Sequence, residues 1–229
     1  MMIIKFCLLG LFSTCFLLNV VRADDCTGGS FRNLGLCQEF LVIRNLAPKA
    51  SVIALIQNHM QTDIRFRKAV QYMLSPDFDK TTAKIDATSV YQSFLRQFTN
   101  AGVNTTDIDS VSKIFDCVLI PILVEATGNF RSSPNSVVVS RSLETFVQQV
   151  GALIPQKELV NTLDMQIAEN KEFAKFYRVI RNPTFQSNVM KGFINRDISR
   201  PIKTLRRYQI DLSKLTQYVF NLFSLGPAV

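Results

Sequence analysis

The sequence predicts an all-α protein, with roughly six short helices in each of two tandem repeats. Three observations predict it. Past residue 35, apolar residues recur at spacings of three and four, the period of a helix that buries one face. No stretch sustains the every-second-residue alternation of a half-buried strand, and Val137-Val138-Val139 is too short to count as one. Sliding the sequence on itself by 107 residues aligns the two halves without a gap. Identities at that shift are Leu36/Leu143, Leu46/Leu153, Pro48/Pro155, Phe66/Phe173, Lys68/Lys175, Pro76/Pro183 and Phe78/Phe185. Around them apolar residue meets apolar residue: Val52, Ile53, Ile56 and Met60 fall on Leu159, Val160, Leu163 and Ile167. The repeats span about residues 36–120 and about 142–226.

The elements of the first repeat follow in order. Pro48 opens a helix with apolar positions 52, 53, 56 and 60. Thr62-Asp63 can cap the next, whose inward stripe is Phe66, Ala69, Val70, Met73 and Leu74. Ser75-Pro76 and Asn182-Pro183 give one start signal twice: Ser or Asn accepts a backbone N–H, and Pro occupies the first helical position, where its missing donor costs nothing. Phe78 and Ile85 face inward from that helix. Val90, Phe94 and Phe98 form the following stripe, which Gly102 ends with a left-handed cap. Thr105 or Thr106 starts a last helix carrying Ile108, Val111 and Phe115. The second repeat runs through the same order, except that Gln209 stands where the first has Gly102, which puts the cap there in question. The stretch 121–141, with Gly128 and Pro134, reads as a connector. Each set of short helices must bury its stripes, and the nearest surface is the other set, so residues 24–229 are expected to form one domain.

Composition narrows the function classes. The set AVILMFWYC makes up 47% of the chain against 19% charged residues, with 9 Gly and 8 Pro, which excludes collagen-like and disordered chains. One His leaves little material for a zinc site or a Ser-His-Asp machine, and neither a Gly-rich phosphate loop nor G-x-S-x-G nor C-x-x-C occurs. Neither an enzyme nor a metal site is expected. Residues 1–23, MMIIKFCLLGLFSTCFLLNVVRA, read as a signal peptide cut after Ala23 rather than as a membrane anchor. Its removal takes away Lys5 and Arg22, so the net charge falls from +8 to +6, and an extracellular location is expected. Of the five Cys, Cys26, Cys37 and Cys117 then remain. Cys26 and Cys37 flank a Gly-rich turn and are expected to pair; Cys117 reads as a buried small hydrophobe. Asn104-Thr105-Thr106 is the glycosylation sequon, since Asn182-Pro183-Thr184 is blocked by its proline.

Two polar features remain. His59 ends the Pro48 helix, where a capping or surface role suits a cation better than catalysis does. Arg196, Arg200, Lys203 and Arg207 are spaced 4, 3 and 4. A helix starting at Pro201 would leave the first two in a loop, so they read as a solvated face rather than a head-group or carboxylate site. Nucleic acid is a poor partner for a secreted chain at +6 with no recognised motif.

Certain blocks resemble a known family. Leu153-Ile154-Pro155 before a helix, Phe66–Met73 followed by Pro76-Asp77-Phe78, Ala101-Gly102-Val103-Asn104, and Leu119-Ile120-Pro121-Ile122-Leu123-Val124 are similar to the insect-allergen-related repeat family. That family includes the major cockroach allergen, mosquito midgut microvillar proteins and butterfly nitrile-specifier proteins. The resemblance covers about residues 36–225. It implies a capsule of about twelve helices around a large apolar cavity holding fatty acid or phospholipid chains, and secretion into an insect gut lumen or onto its microvillar surface. Lipid is then the expected cargo, with no cofactor; transient membrane-surface contact is the alternative reading of the basic stripe. The bulky inward residues become candidates for the cavity wall. In the first repeat these are Ile56, Met60, Phe66, Val70, Met73, Phe94, Phe98, Ile108, Val111 and Phe115. In the second they are Leu163, Ile167, Phe173, Tyr177, Ile180, Leu205, Leu215 and Tyr218. A sixteen-carbon chain gains roughly 12 kcal/mol at ~0.8 kcal/mol per methylene, against an association cost on the order of 4–15 kcal/mol. The alternatives are a nitrile-specifier-like detoxification factor and a cargo-free structural protein of the gut lining.

Overall fold

The computed structural model describes residues 35–106, 109, 111, 112, 115, 122, 123, 126 and 142–228. Residues 1–23, Cys26, Ile108, Cys117 and most of the connector lie outside them, as does the side chain of Cys37. Among the described residues there are eleven helices and no strand. They are α1 (Gly35–Asn45), α2 (Lys49–Thr62), α3 (Ile64–Met73), α4 (Pro76–Asp86) and α5 (Ser89–Asn100), followed by α6 (Leu143–Ala152), α7 (Gln156–Glu169), α8 (Lys171–Arg181), α9 (Pro183–Gly192), α10 (Arg196–Arg207) and α11 (Leu212–Ser224). No described helix is long and apolar enough to cross a membrane.

Shifting by 107 residues carries α2 onto α7 and α5 onto α10 end for end. Local chemistry sets the matching ends. Pro48 and Pro155 precede α2 and α7 with φ,ψ of −59°, 117° and −63°, 116°. Asp63 and Asn170 cap α3 and α8 by the same device, a side-chain oxygen accepting from the backbone N–H groups two and three residues on. Asn182 caps α9 in that way as well. Ser75 does not: its hydroxyl donates to the Tyr72 carbonyl at 2.7 Å, so Pro76 and the acidic first turn of Asp77 and Asp79 open α4 without a side-chain cap.

Helix α10 corrects one sequence expectation. It begins at Arg196 rather than Pro201, because Asn195 accepts from the Asp197 backbone N–H at 3.0 Å and starts the helix there. Pro201 lies inside α10 on its buried face with Ile198, Ile202 and Leu205. That burial offsets the hydrogen bond its ring removes. The signal was present: Asn195 is the 107-residue counterpart of Thr88, which caps α5 through the Tyr91 N–H.

The helices exchange partners between the halves. Helix α1 packs on α7 and α8 of the second half, and its counterpart α6 packs on α2 and α3 of the first. Likewise α5 packs on α9, and its counterpart α10 packs on α4. Two apolar clusters result, each built from both halves. The first takes α2, α3 and α4 with Leu143 and Phe146 of α6 and Ile198, Ile202 and Leu205 of α10. The second takes α7, α8, α9 and α11 with Leu36 and Ile43 of α1 and Phe98 of α5. Partly buried Ile154 and Phe193 pack against both clusters.

Candidate functional site

The candidate wall residues fall into the two clusters. Ile56, Met60, Phe66, Val70, Met73, Val111 and Leu205 are buried in the first, with Phe115 and Leu215 packed at its edge. Phe98, Leu163, Phe173, Tyr177 and Ile180 are buried in the second, with Phe94 and Ile167 at its edge. Tyr218 is half-buried and covers Gly151, where an added Cβ would collide with the phenol. Phe98 and Leu205, and at the edges Phe94 and Leu215, therefore change sides relative to a grouping by repeat. Sequence reasoning missed Phe146, Ile198 and Ile202 in the first cluster, and Phe176, Phe220 and Phe223 in the second. Phe176 and Phe146 were detectable at helical spacing from Phe173 and Leu143; that Phe146 meets Phe66 was not, because only the exchange of α6 brings the two together.

Aromatic rings dominate both clusters. Phe66 and Phe146 lie 4.9 Å apart, centroid to centroid, and Phe78 meets Phe115 edge-on at 5.3 Å. In the second cluster Phe98 stacks on Phe176 at 5.4 Å and meets Phe185 edge-on at 5.1 Å. Tyr177 is buried, yet its hydroxyl donates toward the carbonyls of Phe223 and Pro227 at 3.1 and 3.0 Å. Burial raises the pKa of this phenol and of Tyr218.

His59 is a second correction. It is fully buried, not a surface cap. Its ring packs 5.0 Å from Phe66 and 5.7 Å from Phe146. Nε2 lies 2.6 Å from Gln149 Oε1 on α6, and Nδ1 lies 3.4 Å from Asp63 Oδ2. At the matching place in the second half Gln166 replaces His59 and Asn170 replaces Asp63, and both donate to Glu39 on α1. Helices α1 and α6 are thus each pinned by a polar contact from the half they join.

Two open depressions mark the surface. One, about 290 Å³, lies between α5 and α9 and is lined by Ser93, Phe94, Gln97, Asn188 and Lys191. The other, about 460 Å³, lies between α2 and α6 and is lined by Ala54, Leu55, Asn58, Gln149, Ala152 and Leu153. The second is shallow and open to solvent, and its exposed surface is mostly apolar. Its wall at Leu153 adjoins Ile154, the residue that packs on both clusters. Among the described residues no group of three His, Cys, Asp or Glu could hold a metal ion.

The fold and this aromatic interior define an all-α protein of two matched helical runs. The chain belongs to the insect-allergen-related repeat family: the family model described as "insect allergen related repeat, nitrile-specifier detoxification" matches residues 35–216. Comparison with curated proteins and with solved structures gives no match.

Proposed function

We propose that this protein is a secreted, non-enzymatic binder of lipid acyl chains, in keeping with an extracellular role in an insect digestive tract. The observation that carries the reading is the division of the apolar interior into two clusters that share Ile154 and Phe193. The candidate wall residues touch one another across each cluster, so uptake of an acyl chain requires the clusters to part along this seam. Parting there exposes apolar side chains and leaves each helix's own backbone hydrogen bonds intact. The depression between α2 and α6 adjoins the seam at Leu153 and is the proposed way in. Burial of methylenes is non-directional, so such a site selects chain length weakly and head-group chemistry hardly at all.

A titration of delipidated protein with a fluorescent fatty acid tests the reading. Saturable enhancement, competed by unlabelled fatty acid and weakened by Leu153→Asp, is the expected result. No saturable signal contradicts it. The family description also favours a second reading, redirection of glucosinolate breakdown toward nitriles. Product analysis with glucosinolate and myrosinase separates the two, because a lipid binder leaves the product ratio unchanged.

A further inference from the structure

Helix α10 carries Arg196, Arg200, Lys203, Arg206 and Arg207 against one acid, Asp197. That is a net +4 on twelve residues of a chain whose total is +8. With the helix starting at Arg196, positions 196, 200, 203 and 207 fall on one stripe about 17 Å long. The stripe is exposed along its length, and it lies opposite the buried residues Ile198, Ile202 and Leu205. Among the described residues Arg206, beside the stripe, pairs with Asp211 at 3.5 Å, whereas Arg196, Arg200, Lys203 and Arg207 make no ion pair. The fold does not require this charge. The equivalent helix α5 has the same length and the same capped ends, and presents Ser89, Ser93, Arg96 and Asn100 at the matching positions. Ile194, two residues before the stripe, is 83% exposed.

We propose that this face of α10 docks the protein on anionic phospholipid membranes. Guanidinium groups recognise phosphate by paired hydrogen bonds, and mobile head groups adjust to a row of separated cations without a preformed pocket. Ile194 supplies an apolar contact at the end of the row, where it can enter the interface beneath the head groups. Nucleic acid fits less well, because the stripe holds no aromatic platform for bases; the neighbouring Tyr208 is stacked on Tyr72 at 3.7 Å. The docking surface goes beyond the cargo reading and stands or falls without it.

Flotation of the full secreted chain with phosphatidylcholine vesicles, with and without about 30% phosphatidylserine, tests this. Binding is expected only with phosphatidylserine, and it is expected to fall as salt rises. The variant Arg196→Ser, Arg200→Ser, Arg207→Asn installs the α5 residues at exposed positions. At about fivefold per cation it should lose about 100-fold in partitioning while its melting curve is unchanged. Should that variant fail to fold, Arg200→Ser alone should lose about fivefold. The proposal is overturned if phosphatidylserine adds nothing, if folded variants partition like the parent chain, or if single-stranded nucleic acid binds more tightly than the vesicles at equal salt.

Discussion

Gly102 and Gln209 occupy the same corner of the fold twice over. Both have left-handed backbones, at φ 74° and 65°, and the residue after each returns its N–H to the helix it has just left. Val103 donates to the Phe98 carbonyl and Ile210 to the Leu205 carbonyl, each at 3.0 Å. The cap put in question by Gln209 is therefore kept, with a side chain in a region that favours glycine. Gln209→Gly is expected to stabilise by about 0.5–1 kcal/mol, and Gly102→Ala to destabilise by about 1 kcal/mol. Chemical denaturation of the two variants checks the opposite signs.

The exchange of helices makes each half incomplete alone. Without α6, cluster one loses Leu143 and Phe146; without α1 and α5, cluster two loses Leu36, Ile43 and Phe98. Halves expressed separately, split between residues 126 and 142, are expected to show no cooperative thermal transition apart and to recover one when mixed. A cooperative transition in an isolated half would contradict this packing.

His59 joins α2 to α6 through its bond to Gln149. His59→Ala removes ring contacts with Phe66 and Phe146 and leaves Gln149 and Asp63 short of a partner. The expected cost is about 2–4 kcal/mol, read as a fall in melting temperature of roughly 4–15 °C. A fall under a degree would return His59 to the surface role its position in the sequence suggests.

Two carboxylates predict acid sensitivity. The Lys175 ammonium hydrogen bond, helped by the Asn104 N–H, holds the Glu172 carboxyl below its ordinary value. Burial pushes the Asp211 carboxyl up, but the Ser213 hydroxyl and the Arg206 guanidinium outweigh it and hold it down. Both groups release their protons more readily folded than unfolded. Their stabilisation is present above the ordinary carboxylate range, near pH 4, and is lost as pH falls through the lower folded values. Glu172→Gln with Asp211→Asn should flatten that acid limb of the stability curve and reduce stability at neutral pH.

Asn104 is exposed, and its Oδ1 accepts from the Thr106 N–H and hydroxyl at 3.1 and 2.7 Å. The sequon's hydroxyl is thus already in contact with the amide that would be modified. Protein secreted from insect cells should lose mass on glycosidase treatment, and Asn104→Gln should abolish the change.

The sequence shows the helices better than it shows their partners, for a physical reason. Caps such as Asp63, Asn170 and Asn182 act over two or three residues, so local chemistry and the 107-residue register place the ends. An amphipathic stripe specifies that a face is buried but not against what. Phe98 and Leu205 are both buried, yet each lies in the cluster of the other half. The environment of His59 depends on the arrival of α6, ninety residues away, and nothing near His59 in sequence announces it. Pro201 misled because its ring argues for a helix start, while the burial that tolerates it is a tertiary effect.

Cargo is tested most directly by native mass spectrometry of the protein as secreted, followed by organic extraction and identification of what is released. The lipid-binding reading expects a mass in excess of polypeptide plus glycan, and fatty acid or phospholipid in the extract. A mass fully explained by polypeptide and glycan, with an extract free of lipid, contradicts it.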